Sequence, residues 1–247
     1  MDERQVISNV CMLAGKIMLE SGAETYRVED TMTRIAAAFG LTEAESYATP
    51  TGINFSTDSH DASHFRRISK RSTDLHKIAQ VNSISRQISE GGIDPREALL
   101  HLKGLSSTSN VYPYWLQIAA AALVSGSFAI MFGGQLLDFL PAFFAGGVGF
   151  AAMIGFEKLV ETRFFAEFFA SFIIGLLAIG CLHFSFGVNL DKIIIGAVMP
   201  LVPGLHITNA VRDLMAGHLV AGVSKGVEAM LTAFAIGAGV AVVFAFL

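Results

Sequence analysis

Apolar positions recur at steps of three and four through Val6, Val10, Leu13, Ile17 and Met18, which predicts a helix over residues 4–21 with one buried face. Gly22 supplies a residue tolerant of positive φ and ends it. Ser21 and Glu24 have capping-box spacing and Thr25 is a second possible N-cap, so another helix starts here. Its buried face is Val28, Met32, Ile35, Ala36 and Phe39, and Gly40 closes it. The two helices read as an αα-hairpin. From Tyr47 to Ser56, β-branched and aromatic residues broken by Pro50 and Gly52 predict two short strands and a turn. Ser63–Ser72 predicts a third strand carrying Arg66, Arg67, Lys70 and Arg71. That basic run is either a solvated strand face or a contact for anionic lipid or a charged substrate. Asp74 caps a helix through Ser89, Asp94-Pro95 opens another to about Leu105, and Ser106–Asn110 is a polar linker.

Beyond Tyr112 the alternation gives way to long apolar runs. Five segments approach the ~20 apolar residues that a bilayer requires: about 113–132, 139–156, 166–186, 193–211 and 227–247. Tyr112, Tyr114 and Trp115 form an aromatic belt at the mouth of the first. Glycine and alanine between Ala145 and Ala152 predict close helix packing in the second. The fold class expected is an α-helical integral membrane protein of about five transmembrane helices (residues 111–247), preceded by a small cytoplasmic α+β domain (residues 1–110).

Composition sharpens this division. Hydrophobic residues make up 53% of the 247 and charged ones 15%, too apolar for an ordinary soluble domain and too charged for one that is all membrane. Of 17 Lys and Arg, 12 precede Tyr112, and only Lys158, Arg163, Lys192, Arg212 and Lys225 follow it. The net charge of −4 is dispersed and no basic patch points to nucleic acid. The N-terminus carries no apolar signal-peptide core. With the N-terminal domain cytoplasmic, only Lys192 falls in an outside loop, in agreement with the positive-inside rule. Cys11 and Cys181 are expected as free structural thiols, with no metal-ligand spacing and no cofactor motif.

Within the fourth segment, Pro200, Pro203 and Gly204 interrupt the helix, and His206, Thr208, Asn209, Arg212 and Asp213 follow at once. A broken helix with polar groups at membrane depth is the sequence pointer to a transporter's binding site, and it is equally the pattern of a proline-kinked packing helix. In the first reading the unpaired N–H groups after Gly204 face a substrate carboxylate. Glu167 and Glu228, near the ends of the third and fifth spans, are candidate proton carriers or merely solvated. Glu24, Thr25, Arg27 and Glu29 cluster at the hairpin junction. They serve capping and i,i+4 pairing, or form a gating or catalytic site with Thr51 and Ser56. No nucleophile elbow, P-loop or zincin motif is present, so an enzyme is not expected.

Several of these motifs together resemble the threonine/serine exporter family. They are Gly15, then Ser21-Gly-Ala-Glu-Thr-Tyr-Arg-Val-Glu29, Pro50-Thr51-Gly52-Ile53, Met199-Pro-Leu-Val-Pro-Gly204, and Asn209 with Arg212-Asp213. The length is similar to the large component of its split, succinate-exporter-like members. The resemblance implies an inner-membrane exporter of small carboxylate-bearing metabolites, either threonine and serine or a succinate-like dicarboxylate. It also implies a small multispanning partner subunit. An odd number of spans suits either such a partner or a homo-oligomer. The absence of a nucleotide motif implies an ion gradient as the driving force. The alternatives are a membrane-anchored enzyme whose N-terminal domain hydrolyses a small substrate, and a regulatory transporter subunit.

Overall fold

The computed structural model describes residues 3–58, 63–108, 112–160 and 163–245. Ser109 and Asn110 of the expected linker, and Glu161 and Thr162 of the loop before the third span, lie outside the described residues. The chain forms two compact units. One contains Met1–Asn110 together with Leu205–Gly226, and the other contains Val111–Gly204 together with Val227–Leu247. The sequence reading assigned residues 205–226 to the membrane half, so this partition differs from the one drawn at residue 110.

In the first unit, α1 (Glu3–Glu20) and α2 (Thr25–Ala38) form the expected hairpin. A positive φ of 85° at Gly22 closes α1, with Ala23 N–H donating to Met18 O and Gly22 N–H to Leu19 O, the Schellman pattern. Strands β1 (Glu45–Thr49), β2 (Gly52–Ser56) and β3 (His64–Arg67) make an antiparallel sheet in that order, with Ala48 opposite Ile53 and Asn54 opposite Phe65. Helices α3 (Leu75–Ser89) and α4 (Pro95–Ser107) complete residues 1–110, capped by Asp74 and Asp94 as their sequences require. The single buried face expected of α1 is too narrow, because Val10, Cys11, Ala14 and Met18 and the polar Ser8 are all buried. Helices α2, α3 and α4 and strand β2 all pack against it, so α1 is the core element of this unit. Burial pushes the Cys11 thiol up to about 12, which leaves it inert. The third strand is shorter than expected. After Ile68 N–H donates to Thr51 O, the chain leaves the sheet and Ser72 N–H reaches Glu20 O, so Lys70 and Arg71 lie outside the strand.

The second unit holds α5 (Tyr114–Met131), α6 (Leu136–Val160), α7 (Arg163–His183) and α8 (Leu190–Val198). A 3-10 turn (Met199–Leu201) and the greater part of α10 (Leu219–Ala245) complete it. Among the described residues, four helices, α5, α6, α7 and α10, are long and apolar enough to cross a membrane, and α8 with its 3-10 turn plus α9 (Gly204–Met215) would make a fifth span. Small residues bring the backbones together. A Cβ on Gly196 of α8 would lie 2.7 Å from Ser125 O and 2.6 Å from Ala129 N of α5, so no larger residue fits that crossing. The Lys158 ammonium lies 3.9 Å from the centre of the Tyr114 ring, pairing the end of α6 with the start of α5. At the opposite ends, the buried carboxylate of Asp138 accepts from Gln135 N–H, Val188 N–H, Asn189 N–H and the Asn189 side chain, all within 3.0 Å. It thereby joins the α5–α6 loop to the start of α8.

Helix α10 begins at Leu219, eight residues before the fifth span predicted at Val227. Lys225 was placed in a loop, but it is buried within the helix, where the neighbouring Ser224 Oγ also donates back to Val220 O at 2.7 Å.

Candidate functional site

The polar residues that follow the break, and the motif at the α1–α2 junction, come together inside the first unit. Helix α2 starts at Thr25 with Glu24 as its N-cap residue, yet no side chain of the expected Ser21–Glu24 capping box bonds there. Its first N–H groups are satisfied from elsewhere. Asp213 Oδ1 of α9 accepts from Thr25 N–H at 2.8 Å and from Tyr26 N–H at 3.4 Å. A carboxylate at a helix N-terminus is favoured both by the unpaired donors and by the helix dipole. The other oxygen, Oδ2, takes the Lys225 ammonium at 2.7 Å, and this ammonium also donates to Thr25 Oγ1 and Ala23 O. Asp213 is fully buried and the Lys225 side chain is 8% exposed, so this is a desolvated ion pair with its remaining polar capacity met by hydrogen bonds.

Two further pairs flank it. Glu24 lies between Arg212 Nη1 at 2.5 Å and Arg27 Nη1 at 3.2 Å. Burial raises its carboxyl pKa, but a backbone hydrogen bond and the two guanidinium groups outweigh that and hold it below the usual value. Asn209 Nδ2 donates to Gly22 O, fixing α9 to the turn between α1 and α2. One turn along α2, Glu29 Oε1 accepts from Ala48 N–H at 2.7 Å and lies 3.6 Å from His218 Nδ1. Here burial wins, helped by the nearby Asp213 charge, and the Glu29 pKa is raised. A cavity of about 340 Å³ opens beside this pair, lined by Glu29, Tyr47, His218 and Val220 among others.

The two carboxylates therefore carry opposite pH signatures. Glu24 contributes stability that is complete above the ordinary glutamate pKa and lost as pH falls through its lower folded value, below about pH 4. Glu29 contributes the reverse, a loss of stability as pH rises from about 4 through its raised folded value. Thermal unfolding in mild detergent across pH 3–7 is expected to show Glu24→Gln with a weaker acid limb. Glu29→Gln should lose the decline above pH 4. Parallel shifts of the whole curve in both variants would contradict this assignment.

Other predicted residues fall elsewhere. Pro50 and Thr51 are the two-residue turn between β1 and β2, and Gly52 begins β2, where Phe65 covers it. Thr51 and Ser56 sit at opposite ends of β2, some five residues or about 17 Å apart along the strand. Pro200 lies in the 3-10 turn and Pro203 is buried just before α9. Gly204 starts α9, with its N–H on Val202 O. His206 is half-buried, whereas Thr208 is exposed. Glu167 is 1% exposed within α7, and Glu228 is half-buried in α10. Lys225 and His218 were absent from the predicted set. The signal for Lys225 was a lone lysine opening an apolar run, which must be paired if it is buried.

No solved structure matches the chain. A family model described as "Putative threonine/serine exporter" matches residues 9–247. A "Probable threonine/serine exporter" of Mycobacterium tuberculosis is 25% identical over 241 residues, covering 96% of this chain and 45% of the relative. The "Threonine/serine exporter" of Corynebacterium glutamicum is 24% identical over 257 residues, covering 97% and 51%. The chain thus spans about half the length of those two proteins. It spans nearly all of the "Probable succinate transporter subunit YjjP" of Escherichia coli, to which it is 26% identical over 254 residues, covering 97% of this chain and 94% of that one. With several membrane-length apolar helices and a family match over nearly its whole length, the chain is a multi-pass membrane protein that belongs to the threonine/serine exporter family.

Proposed function

We propose that this chain is the larger component of a secondary exporter that moves small carboxylate-bearing metabolites, threonine and serine or a succinate-like dicarboxylate, out across the cytoplasmic membrane. The observation that carries the reading is the family match over residues 9–247. The name of the YjjP relatives, a transporter subunit, supports a second membrane subunit as partner. The N-terminal unit is cytoplasmic, as the distribution of Lys and Arg over the loops supports.

The substrate carboxylate binds where α9 begins, against the N–H groups after Pro203 and Gly204, with His206 and Thr208 adding polar contacts. Pro200 and Pro203 keep α8 and α9 from fusing into one helix. Asn209, Arg212 and Asp213 hold that N-terminus in place through Gly22, Glu24 and Thr25. Thr25, Arg27 and Glu29 are the answering half of this clamp, and the Pro50-Thr51-Gly52 turn shapes the sheet beside it. Coupling to a proton gradient runs through Glu167, an ionisable residue buried within α7. Glu228, half-buried, is the weaker carrier.

Flux in proteoliposomes tests this reading, with threonine, serine and succinate offered in turn, with and without a co-reconstituted partner and a pH gradient. Pro203→Ala restores a backbone donor and is expected to cut export at least tenfold in correctly inserted protein. Gly204→Ala meets open space, so a loss of flux there reports on the ligand rather than on packing. Normal export by both variants would overturn the site. Substrate hydrolysis without flux would overturn the transporter reading itself.

A further inference from the structure

Helix α9 wears its polarity inside out. Its less exposed stripe is the half-buried His206 and Asn209 with the buried Ala210 and Asp213, at i, i+3, i+4 and i+7, and Asn209 and Asp213 bond to the turn between α1 and α2 and to the start of α2. The opposite stripe is apolar and bare. Ile207, Val211, Leu214 and Met215, at i, i+4, i+7 and i+8, are all exposed, Met215 by 83%. The stripe continues onto the first turns of α10 with Val220 and Val223. Two other exposed leucines of this unit, Leu75 and Leu100, lie apart on different helices, α3 and α4.

We infer that this face of α9 and the start of α10 is a membrane-binding surface, seated in the boundary between lipid headgroups and acyl chains. Chain continuity identifies lipid as the occupant. Leu201 ends the apolar run of α8 and its 3-10 turn only three residues before α9. At the other end α10 runs without a break from Leu219 to Ala245. Its last 19 residues, 227–245, rise about 28 Å and are enough to cross the ~30 Å hydrocarbon layer. Residues 219–226 therefore lie at the mouth of that crossing, and α9 is tethered to membrane segments at both ends. A helix so placed, with its polar face already engaged by protein, presents its apolar face to the bilayer in the interfacial manner. Arg212 lies at the edge of the stripe, half exposed, where a guanidinium reaches headgroup phosphates while keeping its bond to Glu24. This goes beyond the transport reading and holds whatever the substrate is.

Tryptophan fluorescence tests it in the reconstituted full chain. Trp115 is the sole tryptophan, and Trp115→Phe provides a silent background. Val211→Trp and Met215→Trp probe the stripe, while Leu75→Trp on α3 is the control. In phosphatidylcholine vesicles, positions 211 and 215 are expected to be quenched at least twofold by acyl-brominated lipid and little by iodide, with the opposite pattern at position 75. Iodide quenching at 211 and 215 would place the stripe in water and overturn the proposal. Resistance to both quenchers would place it under protein and overturn it equally. If tryptophan at 211 prevents insertion, the more exposed position 215 decides. In intact cells, a photocrosslinker at 211 should yield no discrete protein adduct, and such an adduct would mark a partner subunit or second copy as the true occupant.

Discussion

Asp213→Ala is expected to destabilise the first unit by about 3–5 kcal/mol, the cost of removing one member of a buried ion pair. In thermal unfolding this corresponds to a fall of roughly 10 °C in the midpoint. Two losses combine. The Lys225 ammonium keeps only Ala23 O and Thr25 Oγ1, with no counter-charge, and the first N–H groups of α2 lose their acceptor. Lys225→Met should cost less, because the carboxylate it strands still accepts from Thr25 and Tyr26 at the positive end of a helix. The double variant Asp213→Asn/Lys225→Met keeps a neutral oxygen as cap and removes both charges, so it is expected to recover to within about 1–2 kcal/mol of wild type. That order, with the double variant more stable than Asp213→Ala, is the signature of a desolvated pair. An Asp213→Ala midpoint equal to wild type would mean that water reaches these groups in the inserted protein.

The same residues show where sequence reading stops. Spans, caps and hairpins are set by neighbours within a turn or two, so the two helices around Gly22, the caps at Asp74 and Asp94 and the membrane-length runs were all legible. The cap of α2 was not. Ser21 and Glu24 offered a local solution, whereas the structure satisfies Thr25 N–H with a carboxylate 188 positions away. Nothing in a single sequence ties those positions together. The polar run after Gly204 was visible as a departure from an apolar background, but its direction was not. Only the structure shows Asn209 and Asp213 turned toward the helix hairpin while Val211 and Met215 face away. The start of α10 failed for a related reason. Lys225 looks like loop chemistry until Asp213, Thr25 and Ala23 are found around its ammonium.

The clamp also changes what the break in the fourth segment can do. Residues 205–226 and 1–110 form one compact unit, which the chain enters directly after the 3-10 turn. A membrane crossing after α7 that ends at this break falls to α8 and its 3-10 turn alone. Those 12 residues rise only about 20 Å, short of a ~30 Å hydrocarbon core. A crossing that short is tolerable where neighbouring helices shield it, as α5 and α6 do for α8. The proline-rich turn then lies at one end of a short crossing.

The far end of that short helix is held by Asp138, and Asp138→Ala is expected to cost on the order of 3 kcal/mol, given about 1.5–3 kcal/mol for a hydrogen bond to a charged group and incomplete additivity among four. The donors it leaves behind, three backbone N–H groups and the Asn189 amide, are held at loop ends where the chain has little freedom to turn them elsewhere. Gly187 is part of that constraint. Its φ of 120° and the nearby Ile193 and Pro141 side chains leave no place for a larger residue. Asp138→Asn separates charge from shape. One amide oxygen still accepts from Val188 and Asn189 N–H, but the NH₂ group then faces Gln135 N–H and the Asn189 amide, donor against donor. A loss of at least half that of the alanine variant is therefore expected. Asn189→Ala removes one of the four donors to Asp138 and leaves the carboxylate its three backbone N–H groups, so it should cost about 1 kcal/mol or less. Midpoints of thermal unfolding in detergent rank the three. Wild-type stability in Asp138→Asn would mean that water, rather than the carboxylate, satisfies these donors, and α8 would then need another anchor.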